Sequence, residues 1–214
     1  MPTAEDCERN KKIVIIAAYH CYLRCGIEKT TQRDIAKEAH LTPRSIQRYF
    51  RDRDELLLAV TVYLLRKYNQ YVQDYVLQNA ARNKTALDEV VLFLECQKKI
   101  YLEYGGVFLL MNELDIYFKR YKERYLSSMA VLKKLDVMRP YLQNLLRRGI
   151  EEHSIHISTS VEDLAELVIA TYTGLFHHFN DKYLEEDEKR REKDIQMLDL
   201  YICSLRRFLE RSAG

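Results

Sequence analysis

Residues 31–50, TQRDIAKEAHLTPRSIQRYF, contain two helix starts close together. Thr31 followed by Asp34 is a capping box, in which a hydroxyl and a carboxylate satisfy backbone donors reciprocally at a helix N-terminus. Ile35, Ala36 and Ala39 then form one short apolar face. After a turn at His40-Leu41, Thr42 caps a further helix, with Pro43 at its first position, where a missing N–H costs nothing. Ile46, Tyr49 and Phe50 are its inward residues. Two short helices joined by a turn of about four residues make a helix-turn-helix, whose second helix enters the major groove of DNA. With the apolar positions removed, that second helix presents Thr42, Pro43, Arg44, Ser45, Gln47 and Arg48. Arginine pairs bidentately with guanine and glutamine with adenine. Thr31 and Thr42 sit at helix N-termini, which suit a phosphate.

The flanks extend the pattern. Residues 6–25 carry Val14, Ile15, Ala17, Ala18, Cys21, Tyr22 and Cys25 at helical spacing, and Gly26 is a plausible terminator. Lys11-Lys12 ahead of Ile13–Ala18 only faintly resembles a signal peptide. Tyr19, His20 and Arg24 interrupt it and no small-residue cleavage site follows, so it is read as a buried helix. Asp52 with Glu55 opens a long helix to about Asn79. Further helices are expected from Thr85 to about Tyr104, through Phe108–Leu114 beyond a break at Gly105-Gly106, and from Tyr121 to Leu135. Others should run from Pro140 to Gly149, from Val161 to about Tyr183, and from about Lys189 to Arg211. Residues 153–159 read as a polar loop.

Composition agrees. Glycine and proline together number nine among 214 residues, about 4% against a usual share of roughly 12%. A sandwich, barrel or disulfide scaffold needs more turn formers. With 47% hydrophobic and 31% charged residues, the chain is folded rather than disordered. No run reaches the roughly 18 apolar residues of a membrane span. Five cysteines form no disulfide framework, which points to a reducing cytoplasm. The net charge of +2 is uninformative, but its distribution is not: residues 1–53 hold eleven Lys/Arg against seven Asp/Glu. The expectation is an all-α protein of about nine helices, divided into a DNA-binding domain at 8–68 and a second domain at 69–214.

From Val14 to Leu57 the chain resembles the DNA-binding domain of the TetR family of bacterial transcription regulators. The resemblance rests on Val14-Ile15, Ala17-Ala18, Tyr22 and Gly26. It continues through Thr31, Asp34, Ile35-Ala36 and Ala39, then Thr42, Ser45, Ile46, Tyr49, Phe50, Asp52, Glu55, Leu56 and Leu57. It covers about a quarter of the chain, in order and without a gap. Four positions depart from the family pattern. His40 stands where glycine is usual in the turn, Gln47 where a phosphate-contacting tyrosine is usual, and Arg44 where the residue is commonly small. Arg53 replaces the usual lysine with its charge kept. The resemblance gives a DNA-facing set of Thr31, Gln32, Arg33, Thr42, Pro43, Arg44, Ser45, Gln47, Arg48, Tyr49 and Arg53. It implies a cytoplasmic repressor that binds a double-stranded operator and leaves it when a small-molecule inducer, of unknown identity, binds.

One helix-turn-helix reads few base pairs, so a homodimer reading two half-sites is expected. Leu167, Thr171, Gly174, Leu175, Leu198, Tyr201, Ile202 and Leu205, on the last two helices, are the expected interface. The resemblance implies a four-helix bundle there. Sixteen tyrosines and no tryptophan suit an apolar pocket with few polar tips. Tyr104, Phe108, Met111, Asn112, Tyr172, Phe176 and His177 are the candidate ligand residues. No nucleophile elbow, glycine-rich phosphate loop or HExxH is present, so neither an enzyme nor a cofactor is expected. Two rival readings are a metal- or thiol-responsive regulator using Cys21 and Cys25, and a helical interaction module that no longer reads DNA. His153 and His156 are read as solvated. No membrane partner is expected.

Overall fold

The computed structural model describes residues 3–79, 84–125, 132, 136–180 and 188–211. Eight α-helices and one 3-10 turn account for the regular structure of these residues, with no strand among them. The helices are α1 Ala4–Lys29, α2 Gln32–Glu38, α3 Pro43–Tyr49, α4 Arg53–Asn79, α5 Ala86–Arg120, α6 Met138–Glu151, α7 Val161–Asn180 and α8 Glu188–Glu210. The 3-10 turn spans Lys122–Tyr125. The helix expected over 121–135 starts with that turn, and its remainder lies largely outside the described residues. No described helix is long and apolar enough to cross a membrane.

The chain forms two compact units. The first comprises residues 1–67 and 109–135, the second 68–108 and 136–214. Residues 109–120 cluster with the head because Glu113, Tyr117 and Arg120 reach its backbone and side chains. The core of the first unit is Val14, Ala18, Tyr22, Ile35, Ile46, Phe50 and Leu57, all nearly inaccessible. That of the second is built on Phe93, Leu142, Leu146, Leu164, Phe176, Phe179 and Leu209.

The boundaries follow local chemistry. Thr3 and Asp6 form a reciprocal capping box, so α1 begins ahead of the apolar stripe that marks it in sequence. Gly26 interrupts α1 at φ 76°, ψ 164°. The expected break at Gly105-Gly106 does not occur. α5 runs through both glycines, and its only non-helical residue is Tyr104, at φ −137°, ψ 38°. Each glycine costs a helix about 1 kcal/mol, which the burial of Val107, Leu110, Leu114 and Phe118 on the continuing face offsets. In α6, Pro140 sits in the first turn and Gly149 near the end. A Cβ on Gly149 would stand 2.4 Å from Ile155 Cδ1. Loop residue Ile155, 1% exposed, is packed into that gap. Of the densely charged stretch 185–193, read in sequence as solvated, residues 185–187 lie outside the described residues and 188–193 form the start of α8.

Candidate nucleic-acid interface

α2 and α3 are each seven residues long and each starts on a threonine. Asp34 N–H donates to Thr31 Oγ1 (3.3 Å), and the Asp34 carboxylate accepts from the Thr31 N–H (2.8 Å) and hydroxyl (2.6 Å). These bonds hold the Asp34 carboxyl below its ordinary pKa, so it stays ionised and committed to the cap. Ser45 N–H donates to Thr42 Oγ1 at 3.2 Å, and the two hydroxyls lie 2.9 Å apart. In the turn between, His40 takes φ 54°, the left-handed conformation where the family pattern has glycine. Histidine is among the side chains that visit this region more readily.

Ile46, Tyr49 and Phe50 are buried, so the opposite side of α3 faces outward. Thr42, Pro43, Arg44, Gln47 and Arg48 are exposed and Ser45 half-exposed, as are Thr31, Gln32 and Arg33 at the start of α2. Gln47 Nε2 donates to Gln32 Oε1 at 3.3 Å, which rests the amide on α2 in the free protein. A cleft of about 360 Å³ has a floor of Tyr22, Ile35, Ile46, Phe50 and Leu56, and it brings Thr31, Gln32 and Arg53 to one rim. Arg53 is exposed, yet its Nη2 donates to the Ile27 carbonyl, so one arm is already engaged. Asp52 stays ionised because the Glu55 N–H at the start of α4 donates to it, at 2.8 Å.

Tyr49 is placed differently from its neighbours. Its ring is buried, and its hydroxyl accepts from Asn10 Nδ2 (3.0 Å) and Arg48 Nη2 (3.3 Å). The Arg48 guanidinium carbon stands 5.2 Å from the ring centre. A phenol has one proton and two acceptor positions. The hydroxyl oxygen is thus held by two donors, and its own proton remains available to donate. Asn10 was not among the sequence candidates. It precedes the segment that resembles a known family, and only the early cap at Thr3 hints that α1 extends that far. Asn10→Ala is expected to weaken operator and random DNA alike, by about 2- to 12-fold for each bound subunit, the worth of one hydrogen bond. Titrations against both DNAs check this, and unchanged binding to both would refute it.

Of the ligand candidates, Phe108, Tyr172 and Phe176 come together in the second unit. Phe108 and Phe176 lie 4.2 Å apart between ring centres, and Tyr172 and Phe176 5.7 Å. Tyr104 is half exposed against Tyr71, His177 is exposed, and Met111 and Asn112 belong to the first unit. Among the interface candidates, Leu198, Ile202 and Leu205 are buried within their own chain, and the Tyr201 hydroxyl donates to the Val168 carbonyl (3.3 Å). Leu167 is 62% exposed, Thr171 and Leu175 are half-buried, and Gly174 faces open space. The close approach expected at Gly174 is therefore not made within the chain. The outward apolar residues of α8 are instead Leu200 and Phe208, eight positions apart on one face.

Cys21 is buried, and burial pushes its thiol pKa up, whereas Cys25 is exposed. A protonated thiol is a poor nucleophile and a poor metal ligand, so the geometry disfavours the paired-cysteine reading. No cluster of three metal-ligating side chains occurs among the described residues.

Residues 14–60 match the family described as bacterial regulatory proteins, tetR family. The HTH-type transcriptional regulator PksA of Bacillus subtilis (strain 168) is 30% identical over 94 residues, 44% of this chain and 44% of that protein. The chain therefore aligns with under half the length of that relative. A TetR transcription regulator from Haloarcula marismortui superposes with a TM-score of 0.69 at 17% identity, covering 92% of this chain and 98% of that one. FadR from Bacillus subtilis, solved in complex with stearoyl-CoA, gives 0.63 at 14% identity, over 92% and 98%.

Proposed function

The chain belongs to the TetR family of DNA-binding transcriptional regulators, and from that premise we propose that it is a cytoplasmic homodimeric repressor released from its operator by a small molecule. The observation that carries the reading is the outward face of α3. Arg44, Gln47 and Arg48 stand there clear of the Ile46–Tyr49–Phe50 anchor, with no carboxylate on that face. Arg44 and Gln47 read bases, while Thr31, Thr42, Tyr49 and Arg53 hold phosphates. Two copies pair through the outward residues of α7 and α8, Leu167, Thr171, Gly174, Leu200 and Phe208. The ligand enters the aromatic core of the second unit. That FadR was solved with stearoyl-CoA supports a bound small-molecule effector in this fold.

Selection from a random DNA pool, followed by titration across a salt series, tests the reading. The expected result is a selected two-fold-symmetric site whose affinity falls about 10³- to 10⁵-fold between 50 and 200 mM salt, as for six to ten neutralised phosphates. Equal affinity for selected and random DNA would refute it. The dimer has its own check. Leu200→Arg combined with Phe208→Glu is expected to give a monomer by sedimentation, still folded by circular dichroism, that binds only half-sites weakly. A double variant that sediments as a dimer would place the interface elsewhere.

A further inference from the structure

α5 lines the core of the second unit with Phe93, Gln97, Tyr101 and Phe108. Three are aromatic and one is an amide. Gln97 is 1% exposed, four residues from Phe93 on one side and four from Tyr101 on the other. Its Oε1 accepts from the Tyr68 hydroxyl. Tyr68 in turn shares a hydrogen bond with the Tyr172 hydroxyl, and burial raises the pKa of both phenols, so both keep their protons. The hydrogen bond from Tyr68 sets the amide oxygen toward the phenol and the nitrogen away from it. Gln97 Nε2 has no hydrogen-bond partner among the described residues.

A buried amide N–H₂ without an acceptor is destabilising. The surroundings are rings. Phe93 lies 6.3 Å from Tyr172, Tyr101 stacks on Phe176 at 5.3 Å and 11°, and Tyr68 meets Phe108 edge-on at 6.4 Å. The charges nearest these rings are already committed: Arg139, which acts on Tyr172, is paired with Asp136 and Glu166, and the buried Asp194 carboxylate accepts from the Tyr101 hydroxyl at 3.2 Å. The non-helical Tyr104 sits between Tyr101 and Phe108.

We propose that Gln97 Nε2 is the recognition donor for the regulator's ligand, and that this ligand is a neutral, flat aromatic molecule carrying a carbonyl acceptor. The assignment rests on the ligand-released reading above and names the chemistry of its effector. The rings stack on the aromatic body, and the amide supplies the one hydrogen bond that orients it. A carboxylate is repelled by the buried Asp194 and finds Arg139 already paired, and a straight chain forgoes the stacking.

The test uses the full chain without DNA and four probes: 2-acetylnaphthalene, its near-isostere 2-ethylnaphthalene, 2-naphthoate and 2-undecanone. Dissociation constants come from tyrosine-fluorescence quenching and calorimetry. The ketone should bind at least tenfold tighter than 2-ethylnaphthalene and than either remaining probe. Gln97→Leu should remove the ketone's advantage while leaving 2-ethylnaphthalene binding unchanged. Gln97→Met serves as the second variant should leucine disturb the fold. Equal binding of ketone and isostere, an advantage that survives in both variants, or tighter binding of naphthoate or undecanone would each overturn the assignment. So would the absence of binding by either naphthyl probe. Adding the ketone to the protein–operator complex then separates the two claims. Gln97-dependent binding without release from DNA leaves the ligand class standing and removes the ligand-released reading.

Discussion

Arg44→Ala is expected to cost this regulator most of its operator selectivity. A bidentate arginine–guanine pair is worth about 1–3 kcal/mol of discrimination. A symmetric dimer loses it twice, so selected DNA should be bound roughly 30- to 10⁴-fold more weakly. Random DNA should lose far less, because there the same side chain contributes only its charge. Arg48→Ala is the contrast. Arg48 lies over the Tyr49 ring and donates to its hydroxyl, so its loss should depress both DNAs in similar proportion. Titration of both variants against selected and random sequences decides the matter. A parallel loss for Arg44→Ala would show that this residue reads no base.

Gly26→Val should produce the largest loss of stability. Gly26 combines φ 76° with ψ 164°, a region essentially reserved for glycine, where a side chain costs of order 1–3 kcal/mol. Its place is also occupied: a Cβ there would stand 3.1 Å from Glu113 Oε1. The other oxygen of that carboxylate accepts from the Ile27 N–H at 2.8 Å, and a hydrogen bond to a charged group contributes about 1.5–3 kcal/mol. If both are lost, the melting temperature should fall by about 5–24 °C for a chain of this size. Glu113→Ala in the same background removes the collision but not the backbone strain. The double variant should therefore remain well below wild type. Recovery to wild-type stability would mean the backbone conformation there carries no strain.

Much of this was legible in the sequence because the head is assembled from local signals. Thr31 with Asp34, Thr42 with Pro43, and Asp52 with Glu55 each mark a helix start within four residues. Ile35, Ile46 and Phe50 then leave only one way to face the core. The second unit offered fewer such signals. The glycine pair at 105–106 resembled a break, because propensity is local whereas the burial of Leu110, Leu114 and Phe118 that overrides it is not. Gln97 gave no signal: an amide between two aromatics, four residues from each, reads as an ordinary polar position until tertiary packing buries it. For the same reason, the division of α8 between inward Leu198, Ile202 and Leu205 and outward Leu200 and Phe208 depends on how the helix is rotated. Apolar content alone does not fix that rotation.

The first compact unit is discontinuous along the chain, and this has a consequence for building hybrid regulators. A graft limited to residues 14–60 would leave Asn10 behind and free the Tyr49 hydroxyl to turn. It would also lack Glu113, the acceptor for the Ile27 N–H, and Tyr117, whose hydroxyl donates to Asp54 at 2.8 Å. The portable cassette is therefore two pieces, residues 3–67 and 109–125. A recipient scaffold must supply its own equivalents of Glu113 and Tyr117, or receive both pieces together.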